Sequence, residues 1–176
     1  VENADFGVLL GSVLSPINNL QEFVNNIRPD NIPDVRLENC IIKNNLANGI
    51  NALYSDVYAE NCLLYNAGDY LATLTLGGTH EFKHCTFANY GTAALDHQRA
   101  IIQLTNGLSI NGQPIEAELE AEFYNTIIYG SLQNELELNT FNDTTFNFLF
   151  QDCLLRTIED SLDAFPNNYV EVILNQ

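Results

Sequence analysis

The chain has 176 residues, 46% of them hydrophobic, which is enough for one domain with a sizeable core and argues against wholesale disorder. Its 6 basic side chains stand against 23 acidic ones, a formal charge of −17. Such a surface repels phosphate backbones and anionic lipid, so neither nucleic acid nor a membrane surface is expected as a partner.

No apolar stretch is long enough to span a bilayer, and no signal peptide opens the chain. It begins at Val1 in a strand-like segment and contains no Met, so residues 1–176 are expected to be one domain cut from a longer chain. Val1-Glu2-Asn3-Ala4-Asp5-Phe6 reads as a degenerate first copy of a phrase that recurs further on. Ser15-Pro16, followed by Ile17, Leu20, Phe23, Val24 and Ile27, predicts a short amphipathic helix capped by Ser15 and ended by Pro29. It belongs to an insertion near 12–34.

The phrase itself comes next. Val35-Arg36-Leu37-Glu38-Asn39-Cys40-Ile41-Ile42 is answered by Val57-Tyr58-Ala59-Glu60-Asn61-Cys62-Leu63-Leu64 and by His80-Glu81-Phe82-Lys83-His84-Cys85-Thr86-Phe87. Ala121-Glu122-Phe123-Tyr124-Asn125-Thr126-Ile127-Ile128 and Phe148-Leu149-Phe150-Gln151-Asp152-Cys153-Leu154-Leu155 complete it. Cys40 to Cys62 is 22 residues and Cys62 to Cys85 is 23, a period that signals a solenoid. The longer steps, 41 from Cys85 to Thr126 and 27 from there to Cys153, are explained by insertions. A second strand follows each phrase, at Gly49–Ala52, Leu71–Leu74, Ala100–Leu104 and Glu135–Leu138. Residues 107–118 form a second insertion, whose Asn111-Gly112 pair predicts a small hairpin.

The fold class read from this pattern is all-β: a right-handed parallel β-helix of about five coils with one short inserted helix. Period-two alternation puts Leu37 inside and Glu38 outside. Asn39 takes the bend, where its amide tolerates unusual backbone angles, and the amides of successive coils stack. Cys40, Cys62, Cys85 and Cys153 turn inward as small hydrophobes and stay free thiols, because stacked Cβ vectors run parallel. Ile41, Leu63, Ile127 and Leu154 then point outward as an apolar stripe, which the inserted helix, further chain or a ligand covers.

Candidate chemistry is sparse. Asp96-His97-Gln98-Arg99 places base, acid and cation in one polar loop, so Asp96, His97 and Arg99 are the catalytic candidates, although a solvated loop has the same composition. His80 and His84 flank one strand too far apart to share a metal. Glu38 and Glu60 stack as an outward acid pair, the ordinary pattern of a solvated solenoid face as well as the requirement for glycoside hydrolysis. Gly77-Gly78 lacks any phosphate-loop context, and neither a metal nor a cofactor is expected. Tyr65, Tyr70 and Tyr90 fall near turns of successive coils, where a shallow groove could stack sugar rings; they are the ligand-binding candidates.

Asn61-Cys62-Leu63-Leu64, Leu76-Gly77-Gly78-Thr79-His80-Glu81-Phe82 and His84-Cys85-Thr86-Phe87-Ala88-Asn89-Tyr90 resemble right-handed, pectate-lyase-like β-helix proteins of Bacteroidetes. So do Phe123–Gly130, Asn134–Leu138, Phe146-Asn147-Phe148 and Asp152–Leu155. The resemblance spans most of the chain and is weakest over 12–34. It implies an exported protein of the envelope or extracellular space, lipid-anchored in its full-length form, and it hands over no catalytic residue. The function expected is a non-catalytic, surface-exposed β-helix that binds glycan or protein. A polysaccharide lyase or glycoside hydrolase is the alternative and a structural stalk the second alternative. No hydrolytic or lyase activity is expected of residues 1–176 alone, since the loop from Asp96 to Arg99 shows no partner in the sequence.

Overall fold

The computed structural model describes residues 4–10, 33–93, 95–110, 112–141 and 145–174. The expected helix from Ser15 to Pro29 lies outside them. Each coil is built from short strands set at corners. The first described strand is β1 (Val8–Leu10). Then follow β2 (Val35–Glu38), β3 (Ile41–Asn45) and β4 (Ile50–Leu53), and after them β5 (Val57–Glu60), β6 (Leu63–Ala67) and β7 (Ala72–Thr75). The third coil comprises β8 (Gly78–Lys83), β9 (Thr86–Asn89) and β10 (Ile102–Thr105). A hairpin of β11 (Gly107–Ile110) and β12 (Gln113–Glu116) leads to β13 (Leu119–Tyr124), β14 (Ile127–Gly130) and β15 (Leu136–Asn139). The chain then forms β16 (Phe146–Gln151) and β17 (Leu154–Leu155), the short helix α1 (Glu159–Ala164), and finally β18 (Tyr169–Val170) and β19 (Ile173–Leu174).

These strands stack into three parallel sheets. The first runs β2-β5-β8-β13-β16-β18, the second β3-β6-β9-β14-β17-β19 and the third β1-β4-β7-β10-β15. The molecule is a parallel β-helix. Two details differ from the sequence reading. Val8 pairs with Ile50, and the carbonyls of Ala4 and Asp5 accept from Leu46 N and Ala47 N, so this first segment stacks on the corner before the third sheet rather than on an Asn-Cys phrase. The repeat also runs one coil further, because Phe150 pairs with Tyr169 and Leu154 with Ile173. In that last coil Glu171 and Val172 stand where Asn and Cys stand elsewhere, which hid it. The second insertion is an antiparallel hairpin, as its Asn-Gly pair predicted, with Gly112 at a φ of 77°.

The first corner shows why the phrase takes its form. Asn39, Asn61, His84, Asn125, Asp152 and Glu171 all have φ between 50 and 55°, the left-handed region that costs an ordinary L-residue roughly 1–2 kcal/mol and that Asn enters most easily. Asn61 Nδ2 donates to Asn39 Oδ1 at 2.6 Å, one rung of the amide ladder. The next residue turns inward and donates back across the bend. The Sγ of Cys40, Cys62, Cys85 and Cys153 lies 3.2–3.3 Å from the carbonyl oxygen two residues earlier, and Thr126 Oγ1 does the same at 3.0 Å. Small size is common to every coil at this position, and a donor is present in all but the last, where Val172 packs against the core without one. Thr therefore replaces Cys there without disturbing the coil.

The core is a set of vertical ladders. Phe82, Phe123, Phe150 and Tyr169 stack ring on ring, with centroids 4.9, 4.7 and 5.6 Å apart. This matches the roughly 4.8 Å between paired strands, so each ring rests on the next at van der Waals distance. Phe165, just after α1, packs against Phe146 and Phe148 at 5.9 and 5.1 Å, adding a further ring to the last coils. All four cysteines are free; Cys62, Cys85 and Cys153 are buried and Cys40 is partly exposed. On the outer face of the second sheet the apolar stripe points outward as expected, with Ile41, Ile127 and the added Ile173 exposed.

Candidate functional site

The third sheet is inward-facing at Ile50, Ala52, Ala72, Leu74, Ile102, Leu104 and Leu136, so the residue between each inward pair faces out. Register places those outward residues in one row: Asn51 pairs with Thr73, Thr73 with Gln103, and Gln103 with Glu137. Asn51, Thr73 and Gln103 form the floor of an open groove of about 360 Å³, lined also by Asn48, Asp69, Tyr70, Thr75 and Arg99, and Glu137 closes the row beside it through its bonds to Tyr70 and Gln103. Asn48, Asp69, Tyr70 and Arg99 come from the corner between the second and third sheets, which forms the groove's shoulder.

Hydrogen bonds hold the row in place. Thr73 Oγ1 donates to Asn51 Oδ1 at 2.9 Å and accepts from Asn48 Nδ2 at 3.0 Å. Gln103 Nε2 donates to Glu137 Oε1 at 2.8 Å and reaches Tyr70 Oη at 3.2 Å. Tyr70 Oη donates to Glu137 Oε2, and Asn139 Nδ2 to Glu137 Oε1. Arg99 lies over the Tyr70 ring, 5.9 Å from its centroid, with Nη1 3.4 Å from Oη. Burial pushes the Glu137 carboxyl up, but the bonds from Gln103, Tyr70 and Asn139 and the Arg99 charge outweigh it and hold it below the usual range. Burial and the bond to Glu137 push the Tyr70 phenol up.

The candidates read from the sequence separate. Tyr70 lines the groove, but it is only 7% exposed and its hydroxyl is taken up by Glu137, Gln103 and Arg99. Tyr65 pairs in register with Lys43 and Ala88 on the second sheet, and Tyr90 packs against Tyr129 at 6.4 Å. Those three tyrosines do not make one stacking surface. The polar loop separates in the same way. Asp96 accepts from Gln98, Arg99 turns to Tyr70, and His97 turns inward to Ser131 and Glu135.

Comparison with protein-family models, curated proteins and solved structures finds no match to this chain.

Sequence reasoning missed Asn51, Thr73, Gln103 and Glu137, although a signal was present. Each is the polar residue between two apolar ones in the second strand after the phrase, and aligning those strands yields the column Asn, Thr, Gln, Glu. A second cleft, of about 420 Å³, lies at the first corner among Glu38, Asn39, Glu60, Asn61 and His84. Glu38 and Glu60 do pair there in register, but Arg36 and Tyr58 already bond them. Among the described residues no three His, Cys, Asp or Glu side chains group as a metal site, and no helix is long and apolar enough to cross a membrane.

Proposed function

We propose that this β-helix binds carbohydrate along the outer face of its third sheet. The observation that carries the reading is the row Asn51–Thr73–Gln103–Glu137, with Tyr70 and Arg99 beside it. Amide, hydroxyl, carboxylate and guanidinium groups are set there at the strand spacing of about 4.8 Å, in an open groove rather than a closed pocket. A sugar chain presents alternating donors and acceptors along an extended backbone. It matches such a row without the deep apolar pocket that a compact organic ligand prefers.

Binding is favoured over glycoside hydrolysis because that reaction needs a proton-donating carboxyl opposite an ionised one, and the bonds to Glu137 shift it away from the donor role. A carboxyl below its ordinary range is a poor general acid at neutral pH. The resemblance to exported β-helix proteins of Bacteroidetes supports a location at the envelope or outside the cell, where polysaccharide is the available partner. The test is a glycan array run beside reducing-sugar and unsaturated-product assays on the same glycans. Binding without turnover, weakened by Gln103→Ala and by Glu137→Ala, is the expected result. Turnover lost in Glu137→Gln would replace binding with hydrolysis, and neither binding nor turnover would leave a structural stalk.

A further inference from the structure

The corner between the second and third sheets carries a second arrangement, one coil beyond Tyr70. Ser131 and Glu135 lie on the segment joining β14 to β15, and His97 on the segment joining β9 to β10. His97 Nδ1 is 2.9 Å from Ser131 Oγ, and its Nε2 is 3.3 Å from Glu135 Oε2. The contact with Glu135 lies off the line of a well-formed hydrogen bond, so it is chiefly electrostatic. The imidazole and carboxylate are essentially buried, with side chains 1% and 0% exposed, while Ser131 is exposed. Glu135 is itself anchored, since its Oε1 accepts the Leu132 N–H at 2.8 Å and lies so close to Gly130 that no side chain fits there.

A buried carboxylate beside Nε2 favours the tautomer that carries its proton on that nitrogen. Nδ1 is then left with a lone pair, aimed at the hydroxyl of the one surface member of the set. Serine is a weak nucleophile alone and is activated by an adjacent base that a third group orients. We propose that Ser131, His97 and Glu135 form an acyl-transfer site, with Ser131 as nucleophile, His97 as general base and Glu135 as the positioning residue. The substrate class is a small O-acyl ester presented at the surface, such as an acylated hydroxyl of a larger molecule.

The step balances without a cofactor. Ser131 Oγ bonds to the ester carbonyl carbon while its proton moves to His97 Nδ1. The tetrahedral adduct then expels the alcohol, which takes that proton, and leaves an acyl ester on Ser131. Water repeats the sequence and releases the carboxylic acid. Ser131 N–H donates to Asn89 O and Leu132 N–H to Glu135, so neither neighbouring amide serves as an oxyanion donor. Slow turnover follows, with acylation easier to detect than multiple cycles.

The experiment treats the folded chain with a fluorophosphonate and with p-nitrophenyl acetate, maps the adduct by peptide mass spectrometry, and follows melting in parallel. The expected result is one adduct at Ser131, absent in Ser131→Ala. Labelling by both reagents should slow by about 100-fold in His97→Gln, the scale of a positioned general base. Ser131→Ala leaves the buried His97 Nδ1 without its hydroxyl partner, so its melt is read beside the parent's, and Ser131→Thr, which keeps a hydroxyl there, should restore the adduct and keeps the test independent of folding. For Glu135 the readout is the ¹⁵N spectrum of the His97 ring, which should show protonated Nε2 in the parent and lose that preference in Glu135→Gln. An unlabelled Ser131, labelling spread over other serines, or equal rates with and without His97 would each overturn the proposal. Glycan binding by the groove is unaffected by any of these outcomes.

Discussion

Tyr70 donates its phenolic hydrogen to Glu137 at 2.8 Å, joining two residues 67 positions apart. Two coils separate them, and the long segment from β9 to β10 together with the hairpin before β13 makes up the rest of the sequence distance. The bond runs from the groove's shoulder to the residue that ends the outward row. It helps hold the carboxylate at the end of the row below its usual range, and Gln103 is clamped to both partners.

That arrangement fixes the behaviour of Tyr70→Phe. Removing the hydroxyl deletes one of the bonds that hold the Glu137 carboxyl down, so its pKa should rise toward the ordinary value. A carboxylate with a depressed folded pKa contributes stability that is present above its unfolded pKa and lost as pH falls through the folded one. The variant should therefore lose less stability on acidification than the parent. Side-chain NMR titration of Glu137 reads the first effect and urea melts across the acid range read the second. An unchanged Glu137 titration would remove Tyr70 from the groove's electrostatics.

The cysteines should respond by coil. Burial pushes the Cys85 thiol up to about 12 and Cys153 to about 11, and raises Cys62 as well. Thiolate is the reactive species, so these three should label slowly in the folded protein, whereas Cys40, partly exposed at the edge of the stack, should label first. The denatured chain should show four reactive groups, and any native disulfide would contradict the assignment. Replacing Cys62 with Ala removes both a packed sulfur and its hydrogen bond to the Glu60 carbonyl, at a cost of about 1 kcal/mol.

The coil was legible because its constraints are local. A left-handed bend followed by a small inward donor admits few residues, so Asn-Cys recurs even where neighbours vary. The last coil escaped notice because Glu171 and Val172 fill those positions without resembling them, held in place by stacking of Tyr169 on Phe150. Sites were less legible, for a different reason. Gln103 and Glu137 meet only through register, and His97 meets Ser131 and Glu135 only because the long segment joining β9 to β10 folds onto the next coil. Of the three candidate tyrosines only Tyr70 lines the groove, and it is nearly buried, so position near a turn did not tell the three apart.

The bend itself can be tested at Asn125, which is exposed, has a φ of 50° and donates its N–H to Gln151 O. Alanine keeps the hydrogen bond but suffers the left-handed penalty, so Asn125→Ala should cost about 1–2 kcal/mol in urea unfolding. Asn125→Gly should cost clearly less, because glycine enters that region freely. If glycine proved as damaging as alanine, the side-chain amide rather than the backbone angle would be what the corner needs.

A pH effect should also come from His80. It lies in the core at 1% exposure, paired in register with Val57 and Ala121. Neither ring nitrogen has a well-aligned partner, and burial lowers its pKa from 6.5 to about 4, an effect that a main-chain contact at Gly77 only partly offsets. Between those values the unfolded chain binds a proton that the folded one refuses, so stability falls as pH drops through this window. The full loss is about 3 kcal/mol, since each pKa unit is worth about 1.4 kcal/mol. His80→Leu removes the titration and two unsatisfied nitrogens in nearly the same volume. It should stabilise the fold by about 1–3 kcal/mol at neutral pH and flatten the stability profile between pH 6.5 and about 4. Urea midpoints across that range decide the matter. A parent and a variant that lose stability in parallel would show that the acid sensitivity resides in the carboxylates instead.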